Sequence, residues 1–243
     1  MANTYLLRTL TSTGNRKLWT WSAWIKKALP DGADLGVFGL YEDGNNYFRI
    51  RYRSNQKLQV DNVEGSTTTM NLILSEQHRD ISGWYNLVVR YDSAQSTDSN
   101  RVKIYVNGVQ VTSFDTATYP SQNANTYFPV NALPLNVGRT TNNQYFDGSM
   151  SHIHFTDGYA YDASAFGSTD ATTGEWKINT SPSVTYGTNG FFILKDGNSV
   201  TDQSGNSNDF TVGGGTLTKT EDNPSNVFSV WNSLANQGSV PLY

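Results

Sequence analysis

Leu18 to Lys26, LWTWSAWIK, turns side chains alternately to two sides. Trp19, Trp21, Ala23 and Ile25 share one face; Thr20, Ser22, Trp24 and Lys26 share the other. Trp84 to Asp92 does the same, with Tyr85, Leu87, Val89 and Tyr91 opposite Trp84, Asn86, Val88 and Arg90. A period of two, sustained this long, fits extended chain and not helix. Val102 to Val106 and Val109 to Val111 flank Asn107-Gly108. A type I′ turn needs positive φ twice, which Asn and Gly supply, so this stretch predicts a hairpin. The chain must build sheets.

Composition agrees. The 243 residues suffice for one all-β domain, with 16% charged residues, 13% aromatic residues and 14 Tyr. That is the balance of strands and turns around a packed core, and not of disorder. Net charge is −4 with no basic stripe, so nucleic acid is not an expected partner. Arg49, Arg51 and Arg53 share a strand face and read as a solvated or locally paired edge. Without cysteine there is no disulfide or thiolate chemistry. No apolar run reaches about 18 residues, so no membrane insertion is expected. MANTYLLRTL carries no basic region followed by an apolar stretch, so no Sec-type signal is expected.

Further strands are predicted at Gly36 to Leu40 and Tyr47 to Tyr52, a hairpin around Glu42-Asp43-Gly44-Asn45-Asn46, and at Lys57 to Val60. Others follow at Leu135 to Gly138, Gly190 to Leu194 and Phe210 to Val212. Thr116 to Pro134 reads as a long polar loop, and Val212-Gly-Gly-Gly-Thr216 as a break. Phe146 to Gly167, FDGSMSHIHFTDGYAYDASAFG, packs two Asp-Gly turns around a strand, Ser149 to Phe155. A short helical turn follows, with Asp162 as its cap and Gly167 closing it.

That unit, with YFRIRY (Tyr47 to Tyr52), GWYNLVVRYD (Gly83 to Asp92), NRVKIYVNGVQV (Asn100 to Val111) and YGTNGFFI (Tyr186 to Ile193), resembles a concanavalin A-like, laminin-G-type domain. The form it is most similar to occurs in virion proteins of tailed phages, marine ones notably. The resemblance implies an all-β, two-sheet antiparallel jelly-roll sandwich with very little helix, over residues 1–215. Residues 216–243 read as an extended tail or linker. It implies a non-enzymatic virion structural protein, a capsid-attached fibre or decoration subunit or a tail-fibre domain, that displays a lectin-like sandwich. Its partners would be other virion proteins, copies of itself with a trimer favoured, and host-surface glycans; its place would be the virion. A free-standing carbohydrate-binding module is the alternative, and a glycan-active enzyme the third reading.

Glycoside hydrolysis needs two carboxylates flanking one bond. None of Glu42, Glu64, Glu76, Glu175 and Glu221 has a carboxylate at i+2 or i+4 in a strand, so no enzyme is predicted. No G-x-S-x-G elbow is present. His152-x-His154 has a spacing some metal sites use, but reads as two partly exposed histidines behind the Ile153 and Phe155 core face. Asp202, Asn206, Asn208 and Asp209 bring hard oxygens together, the ligand type calcium prefers, and Asp147 or Asp157 could join them. Laminin-G-like domains often carry a loop calcium, so the resemblance makes calcium the candidate cofactor. For glycan or partner contact the candidates are Tyr119, Tyr127, Tyr145, Tyr159 and Tyr161, with Asn123, Asn125, Asn142 and Asn143 nearby in sequence. Among the tryptophans, Trp19 and Trp21 are expected in the core and Trp24 nearer solvent.

Overall fold

The computed structural model describes residues 3–28, 32–141, 143–195, 197 and 199–225. Asn142 and the tail from residue 226 lie outside the described residues. In chain order the strands are β1 (Tyr5–Thr9), β2 (Leu18–Lys27), β3 (Leu35–Asp43), β4 (Asn46–Tyr52), β5 (Leu58–Glu64), β6 (Thr67–Leu74) and β7 (Tyr85–Asp92). Then come β8 (Val102–Val106), β9 (Val109–Gln110), β10 (Phe114–Thr118), β11 (Pro134–Val137), β12 (Arg139–Thr141) and β13 (Gln144–Tyr145). The series ends with β14 (Gly148–Asp157), β15 (Gly167–Thr169), β16 (Trp176–Ile178), β17 (Phe191–Ile193) and β18 (Thr211–Gly214).

Two antiparallel sheets face each other, in the order β10-β6-β5-β4-β3-β11-β1-β18 and β17-β14-β2-β7-β8-β9. Period two does what the sequence demands. Trp19, Trp21, Ala23, Ile25, Leu87 and Val89 of the smaller sheet meet Phe38, Phe48, Ile50, Val60 and Leu72 of the larger in one core. This is the predicted jelly-roll sandwich. At the β8–β9 turn Asn107 and Gly108 have φ of 46° and 79°, the two positive values of a type I′ turn.

The smaller sheet is buried on its outer side as well. Ala163 and Phe166, from a 3-10 turn at Ala163–Ala165, pack with Tyr161, Trp176 and Val184 on Val88 and Tyr105. Trp24, on that outer side, is only 5% exposed, where a more solvated position was expected. His152 and His154 are buried, not partly exposed, and both rings lie beside Phe192, at 5.7 and 3.9 Å between centroids. Between Ser151 and His154 the β14–β2 register slips by one residue, and His152 takes φ 47°. This bulge lets Met150 and Ile153, three apart, both turn to the core.

Other local expectations change for identifiable reasons. Asp162 makes no cap bond; its carboxylate accepts the Tyr105 hydroxyl at 2.7 Å instead. Gly167 opens β15 rather than closing the turn, because the Trp176 indole lies 2.6 Å from where its Cβ would be. Gly148 likewise begins β14, since a Cβ there would meet the Lys26 carbonyl at 2.1 Å. β18 runs through Gly213 and Gly214 because the Tyr5 ring occupies the space of their side chains. β6 was not predicted, and β10 replaces the start of the expected 116–134 loop. Arg49 pairs with Asp61 and Arg51 with Asp34, each at 2.5 Å, on an interior strand and not an edge.

The remaining loop sends Phe128 into the core, fully buried, with ring centroids 4.7 to 5.7 Å from Phe155, Phe38, Phe48 and Trp19. Phe128→Ala should lower the unfolding free energy by about 3–5 kcal/mol in urea titrations. Stability should also fall with acid. Burial holds the imidazoles of His78 and His154 below the ordinary histidine range. Below about pH 6.5 the unfolded chain then binds protons that the fold refuses, so stability declines from there down to the folded pKa values. The urea midpoint should drop between pH 7.5 and 5, and His154→Phe should flatten that slope.

Candidate functional site

At the end of the sandwich where β2 begins and β14 ends, three loops converge on Asp157. Its carboxylate accepts the Asn15 N–H at 2.6 Å, the Asn189 N–H at 3.0 Å and the Asn189 side-chain amide at 3.1 Å. Such fans of N–H donors tie loop to loop at a buried carboxylate, here 6% exposed. Glycine is required twice beside it. A Cβ on Gly14 would meet Asp157 Oδ2 at 2.5 Å, and one on Gly187, at φ 71°, the Asp157 carbonyl at 1.9 Å.

The result is a shallow cleft lined by Ser12, Thr13, Asn15, Gly158, Tyr159 and Thr188 around those groups. Tyr159 is 41% exposed and its ring stacks on Tyr161, 6.2 Å between centroids at 20°. The Thr156 and Thr20 hydroxyls both donate to the Tyr159 carbonyl, at 2.9 and 3.1 Å, and the Tyr161 N–H donates to Thr20 Oγ1 at 2.7 Å. Tyr161 Oη in turn accepts the Thr185 N–H at 2.9 Å. An exposed aromatic face is thus fixed beside small residues, hydroxyls and an amide. Asp157 is the one charged side chain among the lining residues.

Of the five candidate tyrosines only Tyr159 and Tyr161 come together in ring contact. Tyr119 packs edge-on against Phe114. Tyr127 lies in the loop end too, but donates its hydroxyl to Glu42 and lies 5.9 Å from the Arg16 guanidinium. Burial and that bond push its phenol up to about 12. Tyr145 sits beside Tyr5 on the β12–β13 hairpin, over the larger sheet. Sequence reading missed Ser12, Thr13, Asn15 and Thr188 as cleft residues, since they come from two loops over 170 residues apart.

Asp202, Asn206, Asn208 and Asp209 are also brought together, but their polar groups bond to the chain itself. The Asp202 carboxylate accepts the N–H groups of Phe192, Ser204 and Asn208 and the Ser204 hydroxyl, at 2.7 to 2.9 Å. Asp209 accepts the Asp202 N–H at 2.8 Å. Asn206 and Asn208 donate their amides to the carbonyls of Gly187, Thr188 and Gly190, and Arg8 reaches Asn208 Oδ1 at 2.5 Å. With Gln203 N–H on the Phe192 carbonyl, this loop caps the free edge of β17. Among the described residues no group of three or more His, Cys, Asp or Glu is placed to hold a metal.

A sequence profile described as the concanavalin A-like lectin/glucanases superfamily, Laminin_G_3, matches residues 3–160. A search of curated proteins gave no match. Among solved structures the chain is similar to a heptameric SAP-like pentraxin from Limulus polyphemus, with 13% identity, TM-score 0.44, and 66% of this chain and 72% of that one covered. It is similar to domain 4 of AbnA, a GH43 extracellular arabinanase from Geobacillus stearothermophilus solved with arabinotriose (16% identity, TM-score 0.42, 61% and 64% covered). The CBM40 of the Ruminococcus gnavus IT-sialidase, bound to α2,3-sialyllactose, matches at 14% identity and TM-score 0.41, with 62% and 91% covered.

Asp202→Ala should destabilise the fold by about 1–3 kcal/mol, because buried N–H groups lose their acceptor. The melting temperature should be the same in calcium and in EDTA; a calcium-dependent rise would mean that the loop opens its oxygens to the ion.

Proposed function

Because the chain belongs to the concanavalin A-like lectin/glucanase superfamily, we propose that it is a non-catalytic sugar-binding domain whose site is the Tyr159 cleft. The exposed Tyr159 ring carries this reading. A pyranose places its C–H face on an aromatic ring and its hydroxyls on amides and hydroxyls, which Asn15, Thr13, Ser12 and Thr188 supply. Binding is favoured over hydrolysis because one carboxylate lines the cleft where a glycosidase uses two. That carboxylate, Asp157, already serves to hold the loops.

The likeness of the ordered strand segments to phage virion proteins supports the finer reading. Here the domain is a structural subunit of a fibre, tail fibre or capsid decoration, present in many copies on one particle. Shallow sites of this size bind weakly one at a time. Tethered together, they gain 10²–10⁴-fold from effective concentration.

Glycan-array screening of the wild-type chain should give neutral-sugar hits. Tyr159→Ala should weaken the best of them at least fivefold, the equivalent of the ~1 kcal/mol of an aromatic contact, with melting unchanged. An array without hits would remove the sugar-binding reading. Light scattering that shows a monomer would remove the multivalent one.

A further inference from the structure

The opposite end of the same sheet holds a second arrangement, independent of the Tyr159 cleft. Ser149 pairs with Lys26 across β14 and β2, and Trp84 lies one position beyond the Ile25–Tyr85 pair of β2 and β7. A hydroxyl, an ammonium and an indole therefore form one row on the outer face, where the covering layer gives way to solvent. After β18 the chain passes over this end. Its Thr216 carbonyl accepts the Thr4 hydroxyl, and Leu217 packs on the core. Asp222 then lies on the row: Lys26 Nζ donates to its Oδ2 at 2.5 Å and Trp84 Nε1 to its Oδ1 at 3.0 Å.

Each oxygen of that carboxylate has its own donor, one from β2 and one from the residue just before β7. Lys26 and Trp84 thus form a two-point receptor for a planar carboxylate and not a diffuse cationic patch. A cleft of about 290 Å³ adjoins it, bounded by Lys26, Lys27, Ile81, Ser149 and Thr220. Ile81 is 39% exposed and gives the cleft an apolar wall. Asp222 is the one acidic side chain in that lining. Asp80 lies close enough to feel the Lys26 charge, but its Oδ1 accepts the Ser82 N–H and hydroxyl, at 2.8 and 2.6 Å. The bridge is exposed, with the Asp222 side chain at 53%, so solvent screens it and it holds Asp222 only weakly. An external carboxylate can displace it.

We propose that Lys26 and Trp84 are a carboxylate-binding site which Asp222 fills in cis, and that a carboxylated sugar takes its place. A uronate or sialate combines the three features the row offers partners for. Its carboxylate meets the Lys26 and Trp84 donors, its ring C–H groups meet indole and Ile81, and its hydroxyls meet Ser149 and Thr220.

Calorimetric titration of the full chain with glucuronate tests this, with glucose as the neutral counterpart and tetraglutamate as the acidic peptide. Asp222→Ala and the shape-conserving Asp222→Asn should each bind glucuronate about two- to fivefold more tightly than the wild type, the range an exposed ion pair can hold back, with the affinity for glucose unchanged. Lys26→Ala added to Asp222→Asn should abolish the gain. Three results would overturn the proposal: no gain in the folded Asn variant, equal gains for glucose and glucuronate, or tighter binding of tetraglutamate than of glucuronate.

Discussion

Rings from both sheets and one loop meet in the middle of the sandwich, and the rest of the molecule is arranged around that contact. Trp19 stacks on Tyr91 at 5.3 Å and meets Phe48 edge-on, while Trp21 stacks on Phe38. Phe128 closes the cluster although it belongs to no strand. Anchoring a loop by a core phenylalanine has consequences at the surface. Thr126, two residues earlier, accepts the Trp19 indole N–H and donates to the Phe128 carbonyl. Its N–H meets the Arg16 carbonyl, while Gly14 N–H donates to the Pro129 carbonyl. The 10–17 loop is thus held against a segment that the core itself fixes, and Asp157 fastens its far side. The Tyr159 cleft inherits its rigidity from the interior, which lowers the ordering cost of binding.

A second consequence follows from covering the smaller sheet on both sides. A half-buried sheet must alternate polar and apolar, whereas β2 buries both faces: Thr20, Ser22 and Trp24 as well as Trp19, Trp21 and Ala23. Polar groups enclosed in this way need partners. The Thr20 hydroxyl finds the Tyr159 carbonyl, Asn86 Oδ1 accepts the Trp176 indole N–H, and Tyr105 reaches Asp162. The covering layer is thereby stitched to the sheet by hydrogen bonds placed between apolar contacts. The same stitching positions the Tyr159 ring, because the bond from Thr20 fixes the backbone that carries it.

What the sequence made legible was the set of properties that repeat locally. Alternation in β2 and β7, the Asn107-Gly108 turn and the pairing of core tryptophans all follow from neighbours one or two residues apart. β6 had such a signal in Met70, Leu72 and Leu74, diluted by the polar Thr67 to Thr69 that precedes them. The misplaced features depend on contacts distant in the chain. The cover over Val88 and Tyr105 comes from Ala163 and Phe166, more than 50 residues later, and Gly213 and Gly214 needed Tyr5. The Asp202 loop has the composition of an ion site, but its oxygens and amides face the unpaired edge of β17. Composition does not say which partner an oxygen will find. For the same reason the cleft was half visible: Tyr159 and Tyr161 stood out, while Asn15 and Thr188 did not.

The two ends of the smaller sheet differ in how a ligand must compete. From the Trp19–Asp157 pair to the Lys27–Gly148 pair is eight residues of strand, roughly 26 Å at the usual rise. One sugar ring cannot touch both ends. At the Tyr159 end a ligand displaces only water. At the Lys26 end it meets a carboxylate tethered to the same chain, whose effective concentration is on the order of millimolar for a short flexible tether. A free monosaccharide that binds at millimolar strength gains little against such a competitor. A surface that presents many carboxylated sugars at once does gain, because each displacement raises the local concentration for the next. A cis carboxylate of this kind therefore tunes the site to dense ligands and leaves scattered ones unbound.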